Sequence, residues 1–75
     1  MTVFDPTTGL TFSRHSLERM VQRKVSPSEV AITLALGHPP TVRDDGRQLA
    51  RAFVGHRVIE VVRGPDGVIV TAQIA

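Results

Sequence analysis

Three tight turns cut the second half of the chain, and their spacing leaves few folds open. Asp44-Asp45-Gly46, Gly55-His56 and Gly64-Pro65-Asp66-Gly67 separate stretches rich in strand-forming residues. Gly, Pro and Asp suit such corners because they tolerate or preset turn dihedrals. Connections this short cannot carry a parallel crossover, so neighbouring stretches must pair antiparallel. Gln48 to Val54, Arg57 to Arg63 and Val68 to Ile74 read as strands, with Thr41-Val42-Arg43 as a shorter one. Alternation in the last strand puts Val68, Val70, Ala72 and Ile74 on one face. It puts Ile69, Thr71 and Gln73 on the other.

The first half carries helical punctuation instead. Ser13 is a good N-cap, and at about 100° per residue Leu17, Met20 and Val21 then fall on one side of a helix ending near Arg23-Lys24. His15, Arg19, Gln22 and Arg23 fall on the opposite side. Ser26-Pro27-Ser28-Glu29 starts a second helix, with Ser26 capping, Pro27 at the first helical position and Glu29 closing a capping box. Gly37 is a stop, and Pro39-Pro40 forbid continuation. Residues 1–12 read as a turn around Asp5-Pro6 and Gly9, flanked by a short edge strand. The prediction is one α+β domain over residues 1–75: an N-terminal segment (1–12), a helical hairpin (13–37) and an antiparallel sheet (41–75). The hairpin should pack on three or four strands. Leu17, Met20, Val21, Val30, Leu34, Phe53, Val61 and Val70 are the expected core.

At 75 residues the core is lean, because a domain this small buries only about 60% of its unfolded surface. A second copy or another partner could supplement it. There is no Cys, which excludes disulfides, thiolate metal sites and a Cys nucleophile. Met1-Thr2-Val3-Phe4-Asp5-Pro6 lacks a signal-peptide pattern, and no apolar run is long enough to span a bilayer. A cytoplasmic protein with no membrane association is the expectation.

The net charge is +2, but Arg14, Arg19, Arg23 and Lys24 cluster, opposed locally only by Glu18. Such clustering favours anionic partners, including nucleic acid, although a solvated helix face would look the same. His15, Arg19 and Arg23 form an i, i+4, i+8 ladder. RNA cleavage by a 2′-hydroxyl needs proton-transfer groups and cations for the phosphorane-like transition state, and no metal. From spacing alone, a solvent-facing His between two exposed Arg is the better explanation of the row. His15, His38 and His56 are too scattered for a metal site, and no cofactor motif is present. Arg51 sits mid-strand between Ala50 and Ala52, so it must reach solvent, pair with a group such as Glu60, or bind an anion. Thr71 interrupts an apolar run; strand propensity accounts for it, and a phosphate contact would too. Arg57 and Arg63 flank an apolar strand and should reach solvent at its ends. Three Phe, without Tyr or Trp, make an aromatic base-stacking platform improbable.

Phe12-Ser13-Arg14-His15-Ser16-Leu17-Glu18-Arg19-Met20-Val21-Gln22-Arg23 resembles the F-S/T-x-H-A-x-x-R-M-x-x-R opening of a bacterial domain-of-unknown-function family. Val25-Ser26-Pro27-Ser28-Glu29-Val30 is similar to its I-S-x-x-E-V helix start, Gly37-His38-Pro39 to its N-P helix end, and Val68-Ile69-Val70-Thr71 to its V-V-V-T closing strand. The resemblance covers nearly everything from Phe12 onward. That family is placed near the RelE/BrnT-like toxins of the barnase–EndoU–colicin–RelE ribonuclease group. The resemblance therefore implies a RelE-like fold, RNA as substrate and an antitoxin or other protein partner. It implies catalytic roles for His15, Arg19, Arg23 and Thr71, with Arg19 and Arg23 at the phosphate; Arg51, from its mid-strand position alone, is the sheet's candidate for the same anion. Many relatives place an aromatic soon after the final Thr, whereas Ala72-Gln73 follow here. That departure puts base stacking at this position in doubt. A non-catalytic RNA- or protein-binding module, or a self-associating structural protein, are the other expectations on the same scaffold.

Overall fold

The computed structural model describes residues 1–36 and 41–75. The helix stop expected at Gly37 and Pro39-Pro40, and His38, lie outside the described residues. The elements run β1 (Thr2–Asp5), β2 (Leu10–Ser13), α1 (Arg14–Arg23), α2 (Pro27–Leu36), β3 (Thr41–Val42), β4 (Gln48–Val54), β5 (Arg57–Arg63) and β6 (Ile69–Ile74). They build one sheet in the order β1-β2-β6-β5-β4-β3, with α1 against β6 and β2 and α2 against β4 and β5.

Local signals placed both helices. The Ser13 hydroxyl accepts the Ser16 amide at 3.1 Å, and Lys24 ends α1 in the left-handed region at φ 57°. In the capping box, Ser26 N–H donates to Glu29 Oε1 at 3.0 Å, while Glu29 N–H donates to Ser26 Oγ at 3.2 Å. Gly55 adopts φ 65° in the β4–β5 turn, where a side chain would add strain without a contact.

The sheet corrects two expectations. It has six strands rather than three or four, and it is mixed rather than antiparallel throughout. Residues 2–13 form a β1–β2 hairpin, and β2 joins β6 in parallel through the register Phe12↔Ile69. Short connections dictate antiparallel pairing only for consecutive strands. β2 and β6 are remote in sequence, and the burial of Phe12 and Ile69 draws them together.

Burial corrects the predicted core as well. Met20, Val30 and Val61 are buried, and Leu17 and Leu34 pack against their cluster. Val21 and Phe53 are instead 79% and 67% exposed. The buried line of α1 runs through Ser16 and Met20, because the Ser16 hydroxyl donates to the carbonyls of Ser13 (2.7 Å) and Ile69 (3.1 Å). That bond rotates α1 away from the assumed Leu17–Met20–Val21 stripe. Phe53 alternates with the helix-facing Ala52 and Val54 and so points to the sheet face that carries no helix. In β6, Arg63 pairs with Ile69 and Val62 with Thr71, leaving Val70 as an extra residue. This bulge breaks the expected alternation, so Ile69 and Ala72 are both buried and Val70 is only half-buried.

Candidate functional site

The rotation of α1 decides where its basic row lies. Residues one apart on a helix differ by about 100°, so His15, Arg19 and Arg23 run alongside the buried Ser16–Met20 line rather than opposite it. The row therefore borders the sheet. His15, Ser16, Arg19, Arg23, Val70 and Thr71 line an open cleft of about 150 Å³ between α1 and β6. His15 and Arg19 are exposed and Arg23 is half-buried. The β6 bulge presents Val70 and Thr71 to this seam. Beyond Phe12↔Ile69, β2 and β6 share no further registered pair.

Four arginines outside the cleft pair with carboxylates, whereas Lys24, Arg43 and Arg63, also outside it, have no such partner among the described residues. Arg14 pairs with Glu18 at 3.7 Å and Arg47 with Asp45 at 3.5 Å. Arg51 pairs with Glu60, and Arg57 with Glu29. Among the described residues, Arg19 and Arg23 have no carboxylate partner. Two unneutralised guanidiniums thus flank an imidazole and a hydroxyl, an arrangement suited to an oxyanion such as a phosphodiester.

Four of the residues singled out from sequence, His15, Arg19, Arg23 and Thr71, share this cleft. Arg51 does not. It lies on β4, two strands from β6, where Glu60 holds it and Gln73 Nε2 donates to Glu60 at 3.1 Å. His56 is exposed in the β4–β5 turn. Arg57, expected at a solvent-facing strand end, is half-buried and ties β5 to α2 through Glu29 and to the end of α1 through the Lys24 carbonyl at 3.1 Å. Ser16 was missed because a serine inside an amphipathic helix carries no signal of its own. Its role depends on the carbonyl of Ile69, 53 positions away. Among the described residues, no three His, Cys, Asp or Glu side chains cluster as metal ligands, and no helix is long and apolar enough to cross a membrane.

Two carboxylates away from the cleft give the fold a pH signature. Hydrogen bonding from the Ser26 backbone, then from Arg57, holds Glu29 below the ordinary carboxylate range. Hydrogen bonds from Arg51 and then Gln73 do the same to Glu60. A carboxylate with a lowered folded-state pKa contributes stability above its unfolded pKa of about 4.3, and loses it as pH falls through the folded value. Melting temperature should therefore fall as the solution is acidified below about pH 4.3. Glu29→Gln should flatten that acid limb while removing stability at neutral pH. Thermal melts between neutral and strongly acidic pH check both; an unchanged acid limb would show that the Ser26 and Arg57 hydrogen bonds do not hold the Glu29 carboxylate in solution.

No protein-family model, no curated protein and no solved structure matches the chain.

Proposed function

We propose that the chain is a small metal-independent ribonuclease of the RelE/BrnT-like toxin type, with a RelE-like fold and an antitoxin as protein partner. One observation carries this reading: Thr71, remote in sequence, joins the His15–Arg19–Arg23 row of α1 in a single cleft with both guanidiniums unneutralised. In the proposed reaction the neutral His15 imidazole takes the proton of a ribose 2′-hydroxyl, whose oxygen then bonds to the adjacent phosphorus. The bond from phosphorus to the 5′-oxygen breaks, and that oxygen takes a proton from water. The products are a 2′,3′-cyclic phosphate and a 5′-hydroxyl. Arg19 and Arg23 stabilise the charge that grows on the non-bridging oxygens, and the Thr71 hydroxyl donates to one of them.

A second reading rests on a different feature of the same cleft, which supplies only one side chain able to transfer a proton near neutral pH, His15. A site of that kind also serves a module that binds RNA without cutting it. End-labelled single-stranded RNA incubated with the purified protein separates the two. Cleavage that survives a chelator and leaves cyclic phosphate ends supports the ribonuclease. Binding that weakens steeply with salt, without cleavage, supports the module. Neither cleavage nor binding, from mildly acidic to mildly basic pH, overturns both.

A further inference from the structure

A second cavity, of about 300 Å³, opens at the end of the sheet where the β3–β4 and β5–β6 turns meet, lined by Gly46, Gln48, Arg63, Gly64, Pro65 and Gly67. Its cation is Arg63, registered with Gln48 on one side and Ile69 on the other. Strand alternation therefore puts Arg63 on the same face as Val61, toward the core. Its Nε is buried and has no hydrogen-bond partner among the described residues. A buried donor left unmade is costly, and no acceptor among the described residues answers this one, which leaves the guanidinium without a protein partner to hold it.

The surroundings leave this guanidinium uncommitted. The neighbouring carboxylates serve their own turns. Asp66 Oδ1 accepts the Val68 amide at 3.1 Å, and Asp45 accepts the Arg47 amide at 3.0 Å and pairs with that side chain. The turn amides are spent as well. Gly46 donates to the Arg43 carbonyl at 2.9 Å, Gly64 to Val68 at 2.8 Å and Gly67 to Gly64 at 2.9 Å. The donors left facing the cavity are the Arg63 guanidinium and the Gln48 amide, which also offers an acceptor. The remaining wall is Pro65 and glycine backbone. Gly46 stands at φ 86°, and a Cβ there would come within 3.1 Å of Pro65, so this close meeting of the two turns depends on glycine.

We propose that this cavity is a binding site for a nucleoside monophosphate, separate from the α1–β6 cleft. The phosphate sits on Arg63, the flat base lies along Pro65 and the glycine backbone, and the Gln48 amide meets the polar edge of the base. A cavity of this volume is at the size where small-molecule sites begin and exceeds what a bare oxyanion fills. The guanidinium fork matches a phosphate with paired donors.

The test follows the Arg63 Nε–H resonance by ¹⁵N-edited NMR while adenosine monophosphate, inorganic phosphate or acetate is added. The expected result is a saturable shift with adenosine monophosphate, a weaker one with inorganic phosphate, and none with acetate at the same concentrations. Gln48→Ala should weaken adenosine monophosphate several-fold and leave inorganic phosphate unchanged. Arg63→Met should abolish both. Should that variant fail to fold, the wild-type resonance and Gln48→Ala still decide the matter. An Arg19→Met/Arg23→Met variant should retain the shift, which keeps this site distinct from the proposed RNA cleft. Absence of a shift, an equal response to acetate, or loss of the shift in the Arg19→Met/Arg23→Met variant would overturn the proposal.

Discussion

His15→Ala should lower the rate of RNA cleavage by about 10²–10⁴, the range expected when a positioned proton-transfer group is lost. The size follows from the composition of the cleft. Among the described residues lining it, His15 is the one imidazole and there is no carboxylate, so no neighbour there takes over the role. Arg19→Ala and Arg23→Ala should each depress cleavage too, because each removes a cation from a site where charge grows in the transition state. Lysine at either position should restore only part of the rate, since it keeps the charge and loses the planar fork. His15 and Arg19 are exposed, so their alanine variants should melt near the wild-type temperature. Single-turnover rates on labelled RNA, with thermal melts of the same preparations, check each point. Wild-type cleavage by a folded His15→Ala protein would remove His15 from the mechanism. Loss of cleavage with unchanged RNA affinity would place its role after binding.

What sequence made legible was whatever a few adjacent residues decide. Ser13 and Ser26-Pro27-Ser28-Glu29 satisfy the first amides of their helices regardless of the rest of the fold, so both helix starts were readable. The glycine turns bounded β4 and β5 in the same way. The pairing of β2 with β6 was not readable, because two buried side chains 57 positions apart, Phe12 and Ile69, bring these strands together. Helix phase failed for a related reason. Val21 is the more apolar residue, yet a hydrogen bond from Ser16 to a distant carbonyl turns Val21 to solvent. Phe53 shows that alternation divides a strand into two faces without saying which one a helix will cover.

The cleft divides along the same line. The ladder of His15, Arg19 and Arg23 is a matter of spacing and was visible. Its meeting with Thr71 depends on the helix rotation and on the β6 bulge, both set by tertiary contacts. Arg51 carried the same mid-strand signal as Thr71, but Glu60 lies directly across the β4–β5 pair and absorbs its charge. A titratable residue in a strand can therefore be assigned to a site only once its cross-strand partner is known.

Phe12→Ala should remove much of the stability of the domain. Phe12 is fully buried, and its register partners are Val3 on one side and Ile69 on the other. It anchors the contact that joins the β1–β2 hairpin to the sheet, and the next residue, Ser13, caps the helix that carries His15. Truncating a buried Phe costs about 3–5 kcal/mol through lost burial and the cavity left behind. A chain of 75 residues has on the order of 4–11 kcal/mol to lose, at about 0.05–0.15 kcal/mol per residue. The melting temperature should drop by on the order of 20 °C, given about 4–8 °C per kcal/mol for domains of this size. Phe53→Ala is the control, since its ring lies on the helix-free face and its truncation should shift stability by about 0.5 kcal/mol or less. Native-state hydrogen exchange adds a local readout. In Phe12→Ala the amides of β1, β2 and the first turn of α1 should lose protection before those of β4 and β5, because the hairpin loses its anchor while the antiparallel strands keep theirs. Equal losses from the two Phe variants, or uniform loss of protection across the sheet, would show that Phe12 is not what fastens the hairpin and the start of α1 to β6.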